Sequence, residues 1–196
     1  MRMRFTEQMR GFHTPGSAAY EEAYESGQRD RRGISFELTI GTDDLGASLR
    51  DPVHRMRARG YVRCRDLHVE DMPVEDGTFD LFAPTGAEGR TLMRYRLPVT
   101  TTAGPMTVLG VKEVHNDRGT EMWSDTTTLF ARVVHGTAEA DERGGDEYSR
   151  GILRLGPLML ARQVTTFRGS PLGIARFLVF FEKGLLRTYG RPPRAD

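Results

Sequence analysis

The sequence predicts a mainly β protein with appended α-structure, an antiparallel β-barrel or barrel-like sandwich of about ten short strands with C-terminal helices. Three observations carry this expectation. Short segments of alternating apolar and polar residues recur at hairpin spacing, separated by Gly, Pro, Asn and Asp clusters. Residues 109–136 read as two strands joined at Asn116-Asp117-Arg118-Gly119, and the second is rich in aromatic and β-branched residues that suit a pleated, half-buried surface. After Leu155 the composition switches to helical spacing.

In chain order, residues 5–12 alternate and end at the turn cluster His13-Thr14-Pro15-Gly16. Residues 18–25 favour two helical turns that Gly27 would stop. Residues 34–40 alternate most cleanly, with Ile34, Phe36, Leu38 and Ile40 on one face. Thr42 or Asp43 can cap a short helix bounded by Pro52, and a further turn at 53–58 leads into a strand at 59–64. Residues 65–76 read as polar loop, and strands are expected at 77–82, 91–99 and 106–114. The second hairpin strand is expected to run on from Gly136 towards Ala140, with a further short strand at 151–155. Helical spacing then marks 158–167 and 172–189, split by Gly169-Ser170-Pro171. The expected organisation is a barrel domain over 1–155, a helical segment over 156–190 packed on or beside it, and a tail over 191–196.

The formal net charge is +1, which leaves no global field to steer the chain to nucleic acid, and none is expected as a partner. The 28 basic residues include only two lysines, Lys112 and Lys183, a bias that a GC-rich genome produces without any phosphate-binding surface. One cysteine, Cys64, excludes an intrachain disulfide and fits a cytoplasmic location. The N-terminus has basic residues but no apolar run behind them, so no signal peptide is expected, and no window is long and apolar enough to span a membrane. Dinucleotide, Walker and Gly-x-Ser-x-Gly motifs are absent, and the five histidines show no metal-site spacing, so neither cofactor nor metal is expected.

The hairpin gathers most of the chemistry. Trp123, Asp125, Thr127, Leu129 and Ala131 share one face of the second strand; if it points inward, Asp125 and Thr127 are interior polar groups beside the only tryptophan. A buried carboxylate needs a partner, which Lys112, Arg94 or Arg96 could supply. Such a cluster would orient a ligand's carbonyl or hydroxyl, giving Arg94, Lys112, Trp123, Asp125 and Thr127 as ligand-binding candidates. The competing reading places these charges on the solvent face or in a structural ion pair. Glu113 and His115, two residues apart on one face, are the catalytic candidates for acid–base work, without a nucleophile or third partner. In the last helix apolar residues occupy most of the circumference, which predicts that Phe177, Phe180 and Phe181 meet a second surface as well as the barrel.

The motifs FTEQMRGF, MPVEDGTFDLF, MRYRLPV, LGVKEVHND, WSDTTTLFARVVHG and GILRLGPLMLARQVTTFR together resemble a segment of large bacterial multidomain proteins. In these, a glucose–methanol–choline (cholesterol-oxidase-like) flavin oxidoreductase is joined to an α/β-hydrolase-like domain. The likeness runs from Phe5 to about Gly190. Without the flavin fingerprint or nucleophile elbow, the chain does not inherit oxidase or hydrolase chemistry. The resemblance implies a non-catalytic accessory module binding an apolar, sterol- or lipid-like molecule, or docking onto a flavin oxidoreductase. The alternative is a small enzyme transferring protons on a lipid-like or polyketide-like substrate through a Lys112/Glu113/Asp125 cluster. A third reading is a structural or oligomerisation domain; homo-oligomers and peripheral lipid contact are compatible with the terminal helix.

Overall fold

A computed structural model describes residues 1–86, 90–115, 127–140 and 145–189. Eight strands form the body: β1 (Met3–Pro15), β2 (Gly33–Thr42), β3 (Arg55–Cys64), β4 (Met72–Pro84), β5 (Arg90–Thr101), β6 (Gly104–His115), β7 (Thr128–His135) and β8 (Glu147–Arg154). Each pairs antiparallel with the next, and β1 pairs with both β2 and β8, so the sheet closes into a barrel. The length of β1 allows the closure. Met3 to Phe12 lie against β2, while Arg10 to Pro15 lie against β8, a stagger of the kind that closing a barrel requires. The mainly β expectation with C-terminal helices therefore holds, with eight long strands where about ten short ones were expected. A two-residue β9 (Arg168–Gly169) adds to β1 opposite Met3 and Arg4.

Among the described residues, four helices decorate the barrel: α1 (Tyr20–Arg29), α2 (Leu45–Arg50), α3 (Pro157–Thr165) and α4 (Pro171–Tyr189). Helix α1 does not stop at Gly27. That glycine faces β1, where an added Cβ would lie 2.3 Å from the His13 carbonyl oxygen, so it permits close packing within the helix. The cap of α2 is Asp44, whose carboxylate accepts from the Gly46 N–H at 3.0 Å; Thr42 instead accepts from the N–H of Asp44. The expected turn at 53–58 is mostly strand: β3 starts at Arg55 and buries Met56 and Ala58 at alternate positions. Likewise 72–76 begins β4, with Met72 and Val74 buried. Beyond Gly136, residues 137–140 are not strand.

The lumen is lined by the inward-alternating residues of all eight strands, which form one contiguous apolar cluster. Methionine is prominent in it: Met3, Met9, Met56, Met72, Met93 and Met106 are all buried there. Helix α4 adds Phe177 to the same cluster, in ring contact with Phe5, Phe167 and Phe181. Phe82, at φ +53°, turns its ring towards Phe180 and Phe181, and Gly184 makes room for it. A Cβ on Gly184 would fall 2.2 Å from the Phe82 ring. Among the described residues no helix is long and apolar enough to cross a membrane.

Candidate functional site

Alternation along β6 sends Val108, Gly110, Lys112 and Val114 into the lumen and leaves Val111 and Glu113 outside. On β5 the inward residues include Met93, Tyr95 and Leu97, and on β1 they include Phe5, Glu7 and Met9. Strand β1 stands four strands from β5 in either direction around the barrel, so side chains from opposite walls can meet across the lumen. They do so at Glu7. Its Oε1 accepts from Lys112 Nζ at 2.6 Å, and its Oε2 accepts from the Tyr95 hydroxyl at 2.7 Å.

The Glu7 and Lys112 side chains are each 3 % exposed, and Tyr95 is 1 % exposed. Lys112 Nζ also lies 5.3 Å from the centre of the Tyr95 ring, within cation–π range. Phe36 and Phe79 pack on the same ring. Burial, reinforced by the adjacent Glu7 carboxylate, holds the Tyr95 hydroxyl well above its ordinary pKa, so it remains a hydrogen-bond donor. The cluster thus offers an ammonium donor, a phenol donor and a carboxylate acceptor inside apolar walls. It can orient a carbonyl or hydroxyl, or pass a proton between neighbouring heteroatoms.

The expected site residues are distributed differently. Lys112 lies in the lumen, with Glu7 as its carboxylate partner. Thr127 is buried and shares alternating inward positions with Leu129, Ala131 and Val133. Arg94 lies on the outer side of β5, half-buried, away from Lys112. Arg96 also points outward, its guanidinium donating to the Ala138 carbonyl at 2.7 Å. Glu113 is on the outer face beside Arg90 at 3.2 Å, so it cannot share a cluster with Lys112. Trp123, Asp125 and the proposed 116–119 turn lie outside the described residues, as does the side chain of His115. At the barrel end, the aromatic patch expected to meet a partner is largely internal. Phe177 is core, while Phe180 and Phe181 are half-buried; among the described side chains, the exposed large apolar residues of α4 are Leu172, Leu178 and Val179.

A second polar group lies deep at the opposite end. His13 Nδ1 is 3.0 Å from Ser149 Oγ, and its Nε2 is 3.1 Å from Cys64 Sγ. Burial pushes the Cys64 thiol up to about 11, so it is neutral near pH 7 and not an activated nucleophile. Burial also lowers the His13 pKa, with Asp66 opposing the shift and Arg32 adding to it. This group satisfies its own polar atoms and reads as structural. Three or more His, Cys, Asp or Glu placed to hold a metal ion are not found among the described residues.

Glu7 is the member of the interior cluster that sequence reasoning missed. The alternation of Phe5, Glu7 and Met9 puts an acid on the inward face of a strand, which was the available signal. Comparison of the chain with protein-family models, characterised proteins and solved structures gives no match in any of the three.

Proposed function

We propose that the protein is a non-catalytic module that binds an apolar small molecule in the barrel, its polar end held by Lys112, Tyr95 and Glu7. The observation that carries this reading is the charged pair crossing a lumen lined mainly by apolar side chains. A buried ion pair is poor value for stability, because desolvation of two charges offsets their attraction and apolar replacements are often as stable or more so. A few placed polar groups on apolar walls are instead the usual composition of a small-molecule site. The methionine lining supports the same reading, since unbranched thioethers repack around ligands of varied shape. The resemblance to segments fused to cholesterol-oxidase-like enzymes suggests a sterol- or lipid-like ligand, with an oxidoreductase as the recipient.

The test is titration with a fluorescent sterol and a fluorescent fatty acid, comparing the natural chain with Glu7→Gln/Lys112→Met. The double variant removes both charges and keeps an acceptor for Tyr95. Binding that weakens about tenfold or more in the variant, the loss expected for a charge-assisted contact, supports the proposal. Absence of binding to either probe, or equal binding by both proteins, contradicts it.

A second reading, proton transfer on a lipid-like substrate, is favoured by the short Lys112–Glu7 contact. On this reading Glu7 and Tyr95 would take the roles first given to Glu113 and Asp125. Solvent-deuterium incorporation into an apolar ketone, abolished in the same variant, would distinguish catalysis from binding.

A further inference from the structure

A groove of about 830 Å³ lies on the outside of the barrel, between α1 and the start of α3, over strands β8, β1, β2 and β3. Its charge comes from strand register. Arg154 of β8 sits directly opposite Arg10 of β1; Arg10 is opposite Ser35 of β2, and Ser35 is opposite Arg63 of β3. Three arginines and one serine therefore form a single row across four strands. Arg31 and Arg65 line the same groove.

Like charges directly opposite one another on a sheet are destabilising, so a cross-strand Arg10–Arg154 pair needs compensation. Little comes from the protein. Asp66, the one carboxylate in the lining, is engaged by Arg32 at 2.8 Å, and Arg63 is held by Asp71 at 2.7 Å. Arg10, Arg31, Arg65 and Arg154 have no carboxylate partner among the described residues. The Arg154 guanidinium lies 4.9 Å from the centre of the Tyr24 ring, which contacts Phe12 edge-on at 5.6 Å; both rings line the groove. Gly156, which also lines it, is the N-cap of α3 and makes no side-chain cap hydrogen bond.

We infer that this groove binds a small organic phosphate, a phosphomonoester on an aromatic or apolar body. Arg10 and Arg154 hold the phosphate, and Phe12 and Tyr24 hold the body. Two guanidiniums in one row, neither with a carboxylate partner among the described residues, match the charge and fork geometry of a phosphate dianion. The site is separate from the lumen and does not depend on the ligand proposed there.

Calorimetric titration with phenyl phosphate, inorganic phosphate and benzyl alcohol tests the inference. Phenyl phosphate should bind more tightly than either of the others, with affinity falling as sodium chloride is raised. Arg10→Gln/Arg154→Gln should weaken it about tenfold or more without lowering the melting temperature, because the variant also removes a like-charge pair. Should that variant unfold, the single Arg10→Gln and Arg154→Gln variants provide the same comparison. Glu7→Gln/Lys112→Met should leave phenyl phosphate binding unchanged. No binding of phenyl phosphate, equal affinity for inorganic phosphate, or undiminished binding by the arginine variants would overturn the inference.

Discussion

The Glu7–Lys112–Tyr95 cluster makes sharp demands at the scale of single residues. Lys112→Met leaves the Glu7 carboxylate buried without its cation, and the expected loss is about 3–5 kcal/mol in urea denaturation. Glu7→Leu/Lys112→Met removes both charges and should recover most of that loss. A double variant as unstable as the single would show that the pair is needed for folding, not retained for a ligand. His13 supplies a pH dependence. Its folded pKa lies below the ordinary 6.5, so between the two values the unfolded chain binds more protons. The associated stability is present in full above about 6.5, shrinks as pH falls below it, and is lost below the lowered native value. Denaturation midpoints measured from pH 8 to pH 5 should decline more in the natural chain than in His13→Gln; equal declines would contradict this assignment. Lys112 was legible as one of three candidate partners, with Arg94 and Arg96, for an interior carboxylate, while the sequence left open which of them enters the lumen. Glu7 was not, because its role depends on the opposite wall, and a strand's alternation says nothing about what faces it across a lumen.

At the scale of elements, α4 shows how far periodicity reaches. Its apolar circumference was plain in the sequence, but the facet that meets the barrel is set by Phe5 and Phe82, distant in the chain, together with Phe167 just before the helix. Phe177→Ala should therefore cost about 3–5 kcal/mol, whereas Val179→Ser should stay within about 0.5 kcal/mol, both read from thermal or urea unfolding. Similar values at the two positions would mean that α4 is rotated relative to this packing. Helix α1 gives a second case. A glycine near a helix end ordinarily reads as a stop, and only contact with β1 explains why the helix continues through Gly27. Gly27→Ala should lower stability by about 1–3 kcal/mol, despite alanine's better helix propensity, because the methyl meets backbone that cannot move aside. A stabilised Gly27→Ala would refute that contact.

At the scale of the whole molecule, the alternating strands and turn clusters were enough to indicate an antiparallel barrel. Which strands close it was not readable, since closure requires one strand to pair with two others far apart in sequence. Closure produces both proposed sites. It brings Glu7 to Lys112 across 105 positions inside the barrel, and it aligns Arg10 with Arg154 outside it. The central claim is that the interior cluster receives the polar end of an apolar ligand, and the composition offers a direct probe. With only two lysines, selective ¹⁵N labelling yields two side-chain signals, and Lys183, exposed on α4, serves as the internal reference. Titration with a sterol ketone should shift the Lys112 Nζ resonance saturably and leave Lys183 unmoved. A Lys112 signal unchanged while the sterol demonstrably binds would contradict the claim.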